Sequence, residues 1–147
     1  MTENPFTFSY GLLKVELVHF DIESGDVIYN DKDSITDIRP RIRGSEPDKE
    51  FIIDYTINCK AFQENEICSI TTLSRFKTIT SLDILENLNN KDVVDFIARL
   101  GFIANAHLMG MFRVKTDGTS YSGFCIPIRD MQEISSILYD EYNRSKS

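Results

Sequence analysis

Two histidines, His19 and His107, are the only side chains in this 147-residue chain that could act as bases near neutral pH. A histidine base works with a positioned nucleophile or carboxylate, and nothing in the sequence brings such a partner to either residue. The chain also lacks a G-x-S-x-G elbow, a phosphate-binding glycine loop, an H-E-x-x-H pair and a paired-cysteine metal motif. We therefore predict a protein that is not an enzyme and that holds no cofactor and no metal.

The cysteines and the N-terminus both indicate a cytoplasmic protein. Cys59, Cys68 and Cys125 form no C-x-x-C motif, and an odd number of cysteines fits buried reduced thiols better than a disulfide framework. Residues 1–6 have neither the basic nor the apolar region of a secretory signal.

Arg39, Arg41 and Arg43 alternate along one strand-like segment, so their guanidinium groups would align on one side of an extended chain. Such a row can bind an anionic partner. It can also be a solvated edge that discourages aggregation, which is the commoner role. The sequence leaves both interpretations open.

Methionine and aromatic side chains gather between Asn90 and Asp130, and such side chains can repack around varied apolar partners. They can equally fill a plain core. A helix end beside a long loop, however, can leave a groove between loop, helix and sheet. We predict that a groove for client polypeptide is lined by Phe20, Phe76, Met109, Met111, Phe112, Tyr121 and Phe124.

Four strand-like segments precede this region and must position it. Apolar and polar residues alternate most clearly over 51–61, which is typical of a central strand with one face on the core. A short polar link joins this segment to residues 67–79 and predicts an antiparallel hairpin. Residues 6–20 form another strand pattern, and Pro40 favours an edge position or a bulge for residues 35–43. A four-stranded antiparallel sheet is expected.

After the sheet the apolar spacing becomes helical. Asn90 can cap a long helix that ends at Gly118, and about 25 residues would span about 40 Å, more than a compact domain of this size needs. We therefore expect part of the helix to pack on another subunit. A second amphipathic helix is expected over residues 130–142. The predicted subunit interface consists of Val94, Ile97, Gly101, Ala104 and Leu108.

Composition predicts one ordinary globular domain over residues 1–147. The chain has 41% hydrophobic and 27% charged residues, enough for one hydrophobic core. The formal net charge of -7 argues against nucleic acid or an anionic membrane as the main partner. The most apolar run, from Phe96 to Phe112, contains polar residues and is expected to fall short of a membrane span.

Several segments and the order of the elements resemble the SecB family of export chaperones. Leu12 to Asp21 looks like the family's first strand, with its closing phenylalanine and acidic residue, and residues 51–79 look like its hairpin of strands three and four. Gly118-Thr119 and the later Ile126-Pro127-Ile128 are similar to its loop and the proline before its second helix. The resemblance implies a four-stranded antiparallel sheet, a long helix, a loop and a second helix. It also implies a homotetrameric holdase that binds unfolded chains in apolar grooves and catalyses no reaction.

The chain departs from the SecB pattern at several positions. The Pro-Tyr usual in the long helix is absent, and Asn105-Ala106 or nearby residues stand in its place. Leu17 and Ser69 occupy positions where the family can carry acidic contacts for the SecA motor. Docking to SecA is therefore not implied.

Three interpretations of function follow. The first is ATP-independent, chaperone-type binding of unfolded polypeptide or of one dedicated partner by a homo-oligomer, either a tetramer or a dimer. The second is a non-enzymatic assembly module that holds one folded partner. The third is a small-molecule binder or enzyme that uses a cleft between helix and sheet, with His107 or Cys125 near its wall.

Overall fold

The computed structural model describes residues 6–23, 34–45, 49–63 and 65–119, together with residues 121, 134 and 136. Within these residues four strands precede one long helix: β1 (Phe8–Ile22), β2 (Ser34–Ser45), β3 (Glu50–Gln63), β4 (Asn65–Thr80) and α1 (Lys91–Thr116). The strands form one antiparallel sheet in the order β1-β4-β3-β2. The predicted α+β arrangement of a four-stranded sheet followed by a long helix is confirmed.

The sheet has two different faces. Alternate residues of β3, from Phe51 to Ala61, are buried under α1, as the period of two predicted. We call this side of the sheet the inner face and the opposite side the outer face. The outer face carries most of the charged side chains of the strands, including ion pairs such as Lys14 with Glu16 and Lys77 with Glu50.

β1 and β2 are the two edges of the sheet. The edge position that Pro40 predicted for β2 is confirmed. β1 pairs with β4 from Phe8 opposite Thr80 to Ile22 opposite Cys68, and its register shifts twice, between Leu12 and Lys14 and between Leu17 and His19. Each shift inserts one residue, so the apolar side chains that follow return to the inner face.

α1 begins and ends at the predicted residues. The side chain of Asn90 accepts hydrogen bonds from the amides of Asp92 (2.9 Å) and Val93 (3.4 Å), which satisfies two of the donors at the helix start. Gly118 follows the last turn with a φ of +79°, in the left-handed region that glycine adopts without strain. The amide of Thr119 then donates to the Thr116 carbonyl at 3.0 Å and closes the helix end.

The contact between α1 and β3 is closest at Gly101. The buried hydroxyl of Tyr55 donates to the carbonyl of Ile97, one turn before Gly101. A Cβ atom at position 101 would lie 2.9 Å from Cε1 of Tyr55 and 3.2 Å from Cγ2 of Ile134. Glycine is required here because the Tyr55 ring and Ile134 approach the helix backbone directly.

The residues predicted at a subunit interface lie in the core of the single chain. Val94, Ile97, Ala104 and Leu108 are at most 5% exposed, and Gly101 is buried as well. Within the single chain these five residues therefore offer little accessible surface. Association at the five residues stays a prediction that this arrangement does not favour, and the side of α1 that faces away from the sheet carries Phe102, Ala106, Gly110 and Val114 instead.

The second predicted helix is described at only two positions. Ile134 and Ser136 are helical, and Ile134 is buried against Gly101. The rest of residues 130–142, and the loop that contains Phe124 and Cys125, lie outside the described residues.

By length and composition alone α1 could cross a membrane. Its most apolar 18-residue window has a mean hydropathy of 1.2, so the expectation that this run falls short of a span is not met by that measure. However, 56% of the window is buried inside the protein, and core helices pass the same test. The predicted absence of a membrane partner stays a prediction.

Candidate functional site

The side chains predicted to line a client groove differ in how deeply they are buried. Phe76, Phe112 and Tyr121 are buried, and so they are part of the core rather than a surface. Phe20, Met109 and Met111 are partly buried and pack on that core from outside. Phe124 lies outside the described residues. The structure therefore brings some predicted residues to an accessible surface and places the others beneath it.

Three aromatic contacts join α1 to β1, and they are Phe8 and Tyr10 with Phe96 and Phe20 with Phe112. Near the start of both elements the rings of Phe8 and Phe96 have centroids 4.3 Å apart. Near their ends Phe20 meets Phe112 edge-on, with centroids 6.4 Å apart. The segment of β1 between these contacts is the part that could accept another chain.

Leu12 is the most informative residue of that segment. It pairs with Phe76, which lies on the inner face under His107, so the register places Leu12 on the inner face too. An inner-face residue is normally covered, yet Leu12 is 50% exposed. Neighbouring Tyr10 is 43% exposed although its ring lies 6.5 Å from that of Phe76. The inner face is therefore open here.

α1 lies beside this open part of the inner face. Ile103, His107 and Met111 recur every fourth residue and so share one side of α1, and all three are partly buried. We call the accessible apolar surface along this side the β1–α1 strip. Its residues are Tyr10, Leu12, Leu17, Phe20, Ile103 and Met111.

β1 also exposes two further apolar side chains. Leu13 and Val18, the residues inserted at the two register shifts, are 54% and 55% exposed. Among the described residues β1 pairs only with β4, so its second backbone edge is unpaired. An unpaired strand edge can accept another strand, although the charges of Lys14 and Glu16 and the two register shifts are features that limit such pairing. The alternation of β1 could have placed Tyr10 and Leu12 on the inner face, but no sequence signal indicated that these two residues and Ile103 remain accessible.

His107 has a hydroxyl partner. Ser74 Oγ lies 2.8 Å from His107 Nδ1, and the Phe76 ring stacks on the imidazole with centroids 6.4 Å apart. Ser74 is fully buried, and within the described part of the chain no carboxylate bonds to His107. A nucleophile needs access to its substrate and a base needs an orienting partner. This pair fits helix-to-sheet packing better than hydrolysis.

Protonation of His107 is expected to weaken the fold. Burial lowers the pKa of His107, so below pH 6.5 the unfolded chain takes up this proton more readily than the folded chain. Stability should therefore fall as the pH drops from about 7 towards 5. Urea unfolding at pH 7.5 and 5.5 would measure this loss, and we expect a smaller loss for His107→Gln.

His19→Gln is the matched control, since His19 is exposed on the outer face. It should keep the pH dependence of the wild type. An equal loss of stability in His107→Gln and in the wild type would contradict the role of His107.

The described thiols do not form a reactive site. Cys59 and Cys68 are buried, as predicted, while Cys125 lies outside the described residues. Thr36 Oγ1 lies 3.7 Å from Cys59 Sγ, and burial raises the pKa of Cys68 to about 12, so its thiolate is disfavoured. Within the described ranges no group of three or more His, Cys, Asp or Glu residues could hold a metal ion.

Asp54 lies at the centre of an ion-pair cluster on the outer face. Its carboxylate accepts two hydrogen bonds from Arg75, at 2.8 and 3.0 Å, and one from Arg43 at 3.2 Å. The hydrogen bond from Arg75, followed by the charges of Arg75, Arg43 and Arg41, holds the pKa of Asp54 below its usual value. This cluster joins β2, β3 and β4 across the outer face.

Comparison of the chain with protein-family models and with curated proteins gives no match.

Proposed function

We propose that this protein binds non-native polypeptide, or one dedicated protein partner, without ATP and through the β1–α1 strip. The observation that carries the proposal is the half-exposed Leu12, which lies on the inner face above the buried Phe76. Apolar surface left open over a well-packed core marks an interaction site, because its burial by a partner is favourable. The inaccessible Ser74 makes an enzymatic role the weaker alternative.

The strip and the adjoining edge suit an extended client segment. Apolar side chains of the client would cover Leu12 and Ile103, while its backbone could pair with the free edge of β1. In such strand addition the main-chain hydrogen bonds give affinity independent of sequence, and alternate side chains enter the apolar surface. This mode fits a protein that accepts many unfolded chains.

The test is suppression of aggregation of a reduced, unfolded client, followed by light scattering. The wild type should suppress aggregation near equimolar ratio, whereas Leu12→Glu and Ile103→Glu should need at least about tenfold more protein, since a buried carboxylate without a partner is costly. Ile35→Glu adds the same charge to the outer face, where Ile35 is 61% exposed opposite Lys60, so it should act like the wild type.

No suppression by the wild type at several-fold molar excess would contradict the proposal. Equal loss in Ile35→Glu and Leu12→Glu would contradict the assignment of the strip. Far-ultraviolet circular dichroism and the melting temperature of each variant show whether it is folded.

A second candidate function is a non-enzymatic assembly module that holds one folded partner. The edge of β1 that is unpaired among the described residues supports it, since an edge strand of a folded protein can dock there as readily as an unfolded segment. Capture of one stoichiometric protein, with indifference to unfolded peptides, would favour this function over chaperone-type binding.

We also propose a homo-oligomer, either a dimer or a tetramer, that forms through the exposed side of α1. Phe102, Ala106, Gly110 and Val114 recur every fourth residue there, and two small residues allow close helix approach. Antiparallel pairing would bring the acidic first turn at Asp92 near the basic last turn of a second copy. A monomer in light scattering at micromolar concentration would contradict this proposal.

A further inference from the structure

Arg39, Arg41 and Arg43 form a row on the outer face of edge strand β2. All three are exposed, and in register they lie opposite Thr56, Asp54 and Ile52 of β3. Residues two apart on a strand point to the same face and are separated by about 7 Å. We call these three residues the arginine row.

The arginine row carries more positive charge than its neighbours neutralise. Asp37 pairs with Arg39 at 2.8 Å, while Asp54 is shared between Arg43 and the bidentate Arg75. Arg41 forms no ion pair with any residue that the structure describes. Among the described residues of these ion pairs, including Arg75 on β4, four guanidinium groups thus meet two carboxylates, which leaves two positive charges in excess.

This excess is unusual in a chain with a net charge of -7. A positive patch on an acidic protein attracts and orients partners of opposite charge. Guanidinium groups bind carboxylates through two parallel hydrogen bonds, and Arg41 and Arg43 still have donors to offer. The acidity of the whole protein disfavours nucleic acid, whose phosphates would be repelled elsewhere on the surface.

We propose that the arginine row binds an acidic segment of a partner polypeptide in extended conformation. Acidic residues at alternate positions of an extended chain are also about 7 Å apart on one face, so their carboxylates match the spacing of the row. The row is on the face opposite the β1–α1 strip, and this binding does not depend on the function proposed for the strip.

The probe is a fluorescein-labelled peptide in which glutamate alternates with threonine, and binding is followed by fluorescence anisotropy at low salt. The wild type should bind it, with an affinity that falls as salt is added. Arg41→Glu should weaken binding at least tenfold. Lys14→Glu lies on the same face at the opposite edge, changes the net charge equally and should leave the affinity within about twofold.

Three results would overturn the proposal. These are no binding at low salt, equal weakening by Lys14→Glu, and tighter binding of a labelled single-stranded oligonucleotide that Arg41→Glu abolishes. Arg41→Gln removes the charge without adding an acid next to Asp54, so it provides the same comparison if Arg41→Glu does not fold.

Discussion

Phe96→Ala is expected to lower the free energy of unfolding by about 3–5 kcal/mol, the usual cost of removing a buried phenylalanine. Phe96 is buried among the rings of Phe6, Phe8 and Tyr10, with centroids 5.8, 4.3 and 6.3 Å away. Its removal leaves a cavity where α1 meets the start of β1. Urea unfolding followed by circular dichroism would measure the change.

Phe102→Ala, on the same helix, is the matched control. Phe102 is 39% exposed on the side of α1 that faces away from the sheet, so its truncation should change stability by less than about 0.5 kcal/mol in the monomer. Similar losses for the two variants would mean that α1 does not pack on the sheet as described. A loss at Phe102 that depends on protein concentration would instead indicate the proposed oligomer.

Gly101→Ala and Gly110→Ala are expected to change stability in opposite directions. A methyl group at Gly101 would lie 2.9 Å from the Tyr55 ring, which cannot move aside easily because its hydroxyl is bonded to the Ile97 carbonyl. Overpacking of this kind costs about 1–3 kcal/mol, more than the helix propensity gained. At Gly110 no atom lies within 4 Å of an added Cβ, so alanine should stabilise by about 0.5–1 kcal/mol.

Thermal and urea unfolding of both glycine variants would measure these changes. Because the two substitutions are chemically identical and lie in one helix, the sign of the difference reports packing alone. Stabilisation by Gly101→Ala would show that Tyr55 and Ile134 do not approach α1 as closely as described.

Much of the fold could be predicted because its signals are local. Alternation along β3, the proline in β2, the Asn90 cap and the Gly118 stop each depend on a few neighbouring residues. The two register shifts in β1 could not be predicted, since they depend on how β1 follows the twist of β4. No short sequence pattern marks them.

The candidate site was harder to predict than the fold. Aromatic and methionine residues have the same character in a core and on a binding surface, so the sequence could not separate buried Phe112 from accessible Met111. Leu12 was missed because its exposure depends on where α1 crosses the sheet. The contacts of Asp54 with Arg43 and Arg75 required the register of three strands.

The strand order also determines when β1 can pair with the rest of the sheet during synthesis. β1 leaves the ribosome first, but Phe8 pairs with Thr80, whereas the β3–β4 hairpin closes between Gln63 and Asn65. Short loops close at a smaller entropic cost than long ones, so we expect the hairpin to form early and β1 to join it late. The strand that carries four of the six residues of the β1–α1 strip is then itself an unpaired segment while the rest of the chain is being made.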